Sequence, residues 1–128
     1  MNESGQSTVE FAMTVPLLML VLLALIQTGM VVYAQIMVTH AAREGARQAA
    51  TADSDGEILA AARTGAAGLD SSRLSVSYSA PSGWKTGEPV TVTTEYSVPL
   101  FASVLRTVIK DVVDVGARAT MRIEKDRD

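Results

Sequence analysis

Few side chains in this sequence are of types that do chemistry, and the most informative one stands at the edge of an apolar run. Glu10 is the last formally charged residue before Arg43. A carboxylate at the start of an apolar helix costs roughly 3 kcal/mol if it is drawn unpaired into lipid. The helix dipole offsets part of that cost, and a partner cation would offset more. A second acidic group, Asp53, Asp55 and Glu57, resembles part of a calcium loop but lacks the remaining ligands and the bidentate glutamate at the required spacing. Ser54 followed by Glu57 fits a helix capping box instead. There is no cysteine, which excludes disulfides and thiol chemistry, and a single histidine, His40, argues against a zinc site. No nucleophile–base pair, metal cluster or phosphate loop is visible, and the expectation is a protein with no catalytic residues, no metal and no cofactor. A net charge of −3 lacks the clustered Lys and Arg that nucleic-acid binding needs.

The element that must carry Glu10 is a helix. Phe11 to Ala34 is dominated by Leu, Val, Met, Ile and Ala and contains no charge. An uncharged apolar run of about 18 or more residues reads as a membrane span. A cleaved secretory signal would need a basic start and a shorter core, whereas Met1 to Glu10 contains no Lys or Arg. Strong helix formers continue through Tyr33 to Ala50 without proline, which predicts one helix from about Ser7 to Ala50. Pro16 and Gly29 lie within it and predict at most a local kink. Ala41, Gly45 and Ala49 fall at a spacing of four and would let a second backbone approach closely, either a partner's or one from the same domain. Arg43, Glu44 and Arg47 supply the polar side of this stretch. The positive-inside count rests on Arg43 and Arg47 alone and leans toward a cytoplasmic C-terminus.

Beyond the helix the pattern changes. Thr51 to Gly56 reads as a turn, and a second helix is expected from about Glu57 to Ala67, with Ile58, Leu59 and Ala62 facing inward and Gly68 as its stop. Three half-buried strands follow from period-two alternation. Leu74, Val76 and Tyr78 line the first, Val90 to Val98 the second, and Ala117, Ala119, Met121 and Ile123 the third. The apolar connection from Pro99 to Asp114, above all residues 100–110, is free to fold on the core as a short helix, on the membrane surface or on a partner. The fold class is therefore α+β: a long N-terminal helix whose lower part is transmembrane, a short second helix, and an antiparallel sheet of about three strands. The part of the long helix from about His40 onward is expected to suffice as cover for the sheet.

The segment G-Q-S-T-V-E-F, Gly5 to Phe11, directly precedes the apolar run and resembles the processing site of type IV pilin-like proteins. A-A-R-E-G-A-R, Ala41 to Arg47, is similar to the segment that follows the membrane helix in the TadE-like family, as is the order helix, sheet and a last strand reading A-R-A-T-M-R-I-E. The resemblance implies a pilin-like (pseudopilin) minor subunit of a Tad (Flp) type IVb pilus, used in surface adhesion and biofilm formation. It implies residues 1–5 as a leader, cleaved between Gly5 and Gln6 by a prepilin peptidase. Residues 6–50 would form the transmembrane and extended helix, and 51–128 a small non-cytoplasmic domain. Glu10 then stands fifth in the mature chain, positioned to pair with the new α-amine of a neighbour, with Phe11 beside it. Ala41, Arg43, Glu44, Gly45 and Arg47 would pack the helix. Implied partners are membrane lipid, the peptidase, TadF-like and major Flp subunits, and the inner-membrane Tad platform. The implied location is the bacterial inner membrane, single-pass, with the C-terminal domain periplasmic or extracellular and open to incorporation in the pilus. The alternative is a single-pass membrane-anchored binding or sensing domain unrelated to pili.

Overall fold

The computed structural model describes residues 3–101 and 112–127. Helix α1, Glu3–Ala49, is one continuous element of 47 residues with Pro16 inside it. A turn at Ala50–Ser54 leads to helix α2, Asp55–Gly65. A single 3-10 turn at Ser71–Arg73 then enters strand β1, Leu74–Ser79. Strands β2, Pro89–Pro99, and β3, Val112–Arg122, complete an antiparallel sheet in the order β1-β2-β3. The expected α+β architecture is thus the observed one.

The sheet registers follow the alternation. Leu74 pairs with Tyr96 and Tyr78 with Val92, while Val92 pairs with Ala119 and Tyr96 with Val115. Val90, Val92, Thr94, Tyr96 and Val98 all point into the core and are buried. α1 lies beneath this face and buries it in two tiers. The upper tier joins Ala46, Ala49 and Ala52 to Ile58, Val90, Val92 and Ile123. The lower tier joins Ala34 and Val38 to Tyr96, Val98 and Val115, with Met30 and Val31 at its margin. The cover therefore begins well below His40, and the expectation that the helix from His40 onward suffices is corrected. The physical reason is the length of β2: its eleven residues run antiparallel to α1, and their lower half needs a lower partner.

Polar side chains fix the helix against the sheet at three heights. Gln27 donates from Nε2 to the Pro99 carbonyl at 3.1 Å, and its Oε1 accepts from the Phe101 N–H at 3.2 Å. Gln35 donates to the Gly116 carbonyl at 3.0 Å. Thr94, fully buried, donates to the Val38 carbonyl at 2.7 Å, which satisfies a hydroxyl that would otherwise be costly in the core. At the top, the Glu124 N–H donates to the Ala50 carbonyl.

Two further boundaries differ from expectation. β3 starts at Val112, before the expected connection ends, because Val113 and Val115 continue the inward alternation around the exposed Asp114. α2 runs Asp55–Gly65, two residues earlier at each end than expected. Ser54 is its N-cap, but its hydroxyl donates to Glu57 Oε1 at 3.3 Å, and no side-chain bond to the helix backbone is made. Gly65 ends the helix where α1 presses against it: a Cβ there would lie 2.9 Å from the Ala41 Cα. The rest of the apolar connection, 102–111, for which the sequence leaves core, membrane surface and partner open, lies outside the described residues.

Candidate assembly site and membrane segment

The residues singled out at the N-terminus all lie on the first turns of α1. Gly5 is exposed, with nothing within 4 Å of where a Cβ would stand. Gln6 and Glu10 share a face one turn apart, and Gln6 Nε2 donates to Glu10 Oε1 at 3.3 Å. Thr14 continues that face and donates to the Glu10 carbonyl at 2.8 Å. Phe11 is 70% exposed on the next face. The Gly5–Gln6 bond sits in the first helical turn, whose N–H groups have no intrahelical acceptor, so unwinding it breaks few hydrogen bonds.

From Gly5 to Ile26 no described residue of α1 is buried, and Leu17, Leu18, Leu22 and Leu25 all stand open. A helix this long and apolar can cross a membrane, and its most apolar window has none of its residues buried within the protein. The core helix of a soluble domain would be covered. The rise from Glu10 to Gln27, where contact with the sheet begins, is roughly 26 Å at the helical rise per residue. That is close to the hydrocarbon thickness of a bilayer, about 30 Å.

The small residues of the upper helix face inward. Ala41, Ala42, Ala46 and Ala49 are buried, and a Cβ on Gly45 would meet Val92 Cγ1 at 3.0 Å and Ala62 Cβ at 3.1 Å. The stripe of Ala41, Gly45 and Ala49 thus packs on the protein's own second helix and sheet. Arg43 and Arg47 lie on the outer side, where Arg47 pairs with Glu44. The hydrogen bond from Arg47 holds the Glu44 carboxyl below its ordinary range, and Glu44 in turn raises Arg47. The five residues expected to act together in helix packing therefore divide between an internal seam, Ala41 and Gly45, and an outer side that carries Arg43 and the Glu44–Arg47 pair.

The acidic group at Asp53–Glu57 is tied to the end of the chain. Lys125 pairs with Asp53, and Arg127 pairs with Asp55 at 2.7 Å while donating to the Ala52 carbonyl at 2.6 Å. The Arg127 guanidinium stacks 3.6 Å from the centroid of Trp84, whose ring lies 6.1 Å from that of Tyr78. The Tyr78 hydroxyl and then Arg127 hold Asp55 below its ordinary range, and Tyr78 is raised by the same contact. Thr86 likewise donates through its hydroxyl and its N–H to Asp126, which is lowered. This clamp joins the turn before α2, the β1–β2 hairpin and the C-terminal segment. Reading the sequence did not find it. The only local hints are the lone tryptophan beside Gly83 and the alternating K-D-R-D charges, which otherwise read as a solvated tail.

Residues 5–47 match the family model described as TadE-like protein. Through this segment the chain is similar to that family. The match starts at Gly5, contains Glu10 and the whole apolar run, and stops at Arg47, covering about a third of the chain. No curated protein and no solved structure matches the chain. The match is consistent with a protein of the Tad pilus system, and the single described apolar helix of spanning length fits a single-pass inner-membrane protein.

Proposed function

We propose that the protein is a pilin-like minor subunit needed to assemble a Tad-type pilus used in surface adhesion and biofilm formation. The observation that carries this reading is the extent of the TadE-like match, which takes in Gly5, Glu10 and the apolar run together. A prepilin peptidase cuts between Gly5 and Gln6, and the new α-amine of Gln6 is a cation at the lip of the apolar helix. The Glu10 carboxylate pairs with such an amine on a neighbouring TadF-like or Flp subunit, in surroundings where an unpartnered charge is expensive. The Gln6 amide, one turn from Glu10, is within reach to keep the carboxylate oriented until that cation arrives. The inner-membrane platform receives the processed subunit with its head on the non-cytoplasmic side.

Intact mass of the membrane-extracted protein tests the processing step. The expected species begins at Gln6 and has lost Glu3, so its formal side-chain charge rises from −3 to −2. A chain still beginning at Met1 in cells with an active prepilin peptidase would overturn the pilin reading.

A further inference from the structure

We infer that the membrane-facing end of the head domain is itself a lipid-contacting surface, with Phe101 seated in the bilayer interface beside α1. This rests on the reading that residues below Gln27 span the membrane. Three observations place Phe101 there. β2 runs down α1, as the bonds Thr94 to Val38 and Gln27 to Pro99 establish, so its end lies at the lower margin of the head. The Phe101 N–H donates to Gln27 Oε1, which ties the residue to the height at which α1 leaves the head. The Phe101 side chain is 71% exposed, although it follows Pro99 and Leu100, which are half-buried.

The occupant follows from continuity. One turn below Gln27 on the same face stands Leu23, and Ile26 adjoins it, both open on the segment that faces lipid. An exposed phenyl ring at that height adds to the helix's apolar surface. Apolar side chains in this position enter the boundary between headgroups and acyl chains, where they shed water without needing a protein partner. Gln27 has a matching part. It is the only buried polar side chain on the described helix, and it satisfies both of its bonding groups on the backbone of residues 99 and 101. It thereby closes the polar edge of β2 where water gives way to lipid, and sets the depth at which the head rests.

The test uses the full chain in phosphatidylcholine vesicles, with and without bromine on the acyl chains as a contact quencher. The wild-type protein carries one tryptophan, Trp84, in the clamp at the far end of the head, and supplies the unquenched baseline. Phe101→Trp should add emission that is largely lost in brominated lipid and shielded from aqueous acrylamide. Leu20→Trp, in the middle of the span, is the control and should be quenched as strongly. Added emission from Phe101→Trp that persists in brominated lipid while Leu20→Trp is quenched would overturn the inference and leave the span intact, whether the ring then faces water or another protein. Persistence of both would remove the span, and the inference with it.

Discussion

The two halves of α1 are built from different apolar residues because they face different solvents. Below Gln27 the helix is rich in Leu, Val and Met, nearly all exposed; above it, the inward positions are Ala34, Val38, Ala41, Ala42, Gly45, Ala46 and Ala49, nearly all small. Large flexible side chains suit a helix that touches only fluid chains. Small ones suit a helix that must let α2 and a sheet come within backbone distance. A single unbroken backbone thus changes role without a change in secondary structure, and Gln27 marks the height at which it happens.

Truncation is the most severe way to test that boundary. A fragment starting at Gln27 keeps both core tiers and should melt cooperatively. One starting at His40 loses Ala34 and Val38 together with the Gln27 and Gln35 bonds. Removing buried aliphatic groups costs about 2–5 kcal/mol per large side chain, a large share of a small domain's stability. Circular dichroism should show a broad, non-cooperative transition for the shorter fragment. Equal melts for the two would mean that the lower tier is not part of the core.

A charge placed in each half sharpens the contrast. Leu18→Arg should cost roughly 3 kcal/mol of membrane insertion. Ile36→Arg, at a half-exposed site above the boundary, should change head stability by no more than about 0.5 kcal/mol. Insertion is read from the membrane fraction and stability from thermal melts. Similar behaviour of the two variants would erase the distinction between the halves.

Two glycines above the boundary contrast a packed site with an open one at smaller cost. Gly65→Ala sets a methyl group against the Ala41 backbone and should destabilise by about 1–3 kcal/mol. Gly29→Ala has open space around it and should be neutral or gain up to about 1 kcal/mol of helix propensity. Denaturant melts of the two variants decide this.

The smallest effect expected is from pH, and Asp55 and Asp126 carry it at the upper end. Asp55 and Asp126 both have folded values lowered from the ordinary 3.8. Their contribution is therefore complete above that value and is lost as pH falls through the lowered ones. The melting temperature of the head should decline on acidification below this range, and Asp126→Asn should flatten the decline. A variant with an unchanged slope would remove the Thr86 contact from the account.

What could be read from sequence divides along the same line. The span, the second helix and the inward faces of the strands are periodic patterns, and periodicity is local. Whether the Ala41–Gly45 stripe met a partner or its own domain depended on α2 folding back, which a stripe of small residues cannot encode. Val113 and Val115 were hidden because an apolar run reads equally as strand or connection. The pairing of Arg127 with Asp55 and Trp84 joins positions far apart in the chain, and nothing about an isolated arginine near the end announces its partners. Gln27 leaves no mark in the charge pattern, because an uncharged amide does not interrupt a charge-free run.

The central claim is that Glu10 serves assembly and not anchoring, and Glu10→Ala measured three ways in one strain tests it most directly. Removing the carboxylate takes away a desolvation cost, so the membrane fraction should be at least that of the wild type. Cleavage at Gly5–Gln6 should persist, because the cut bond and Gly5 are untouched. Surface pili should be lost or greatly reduced, because the amine of a neighbouring subunit is left without its anion. Normal piliation with normal insertion would contradict the account and reduce Glu10 to a residue of the headgroup region.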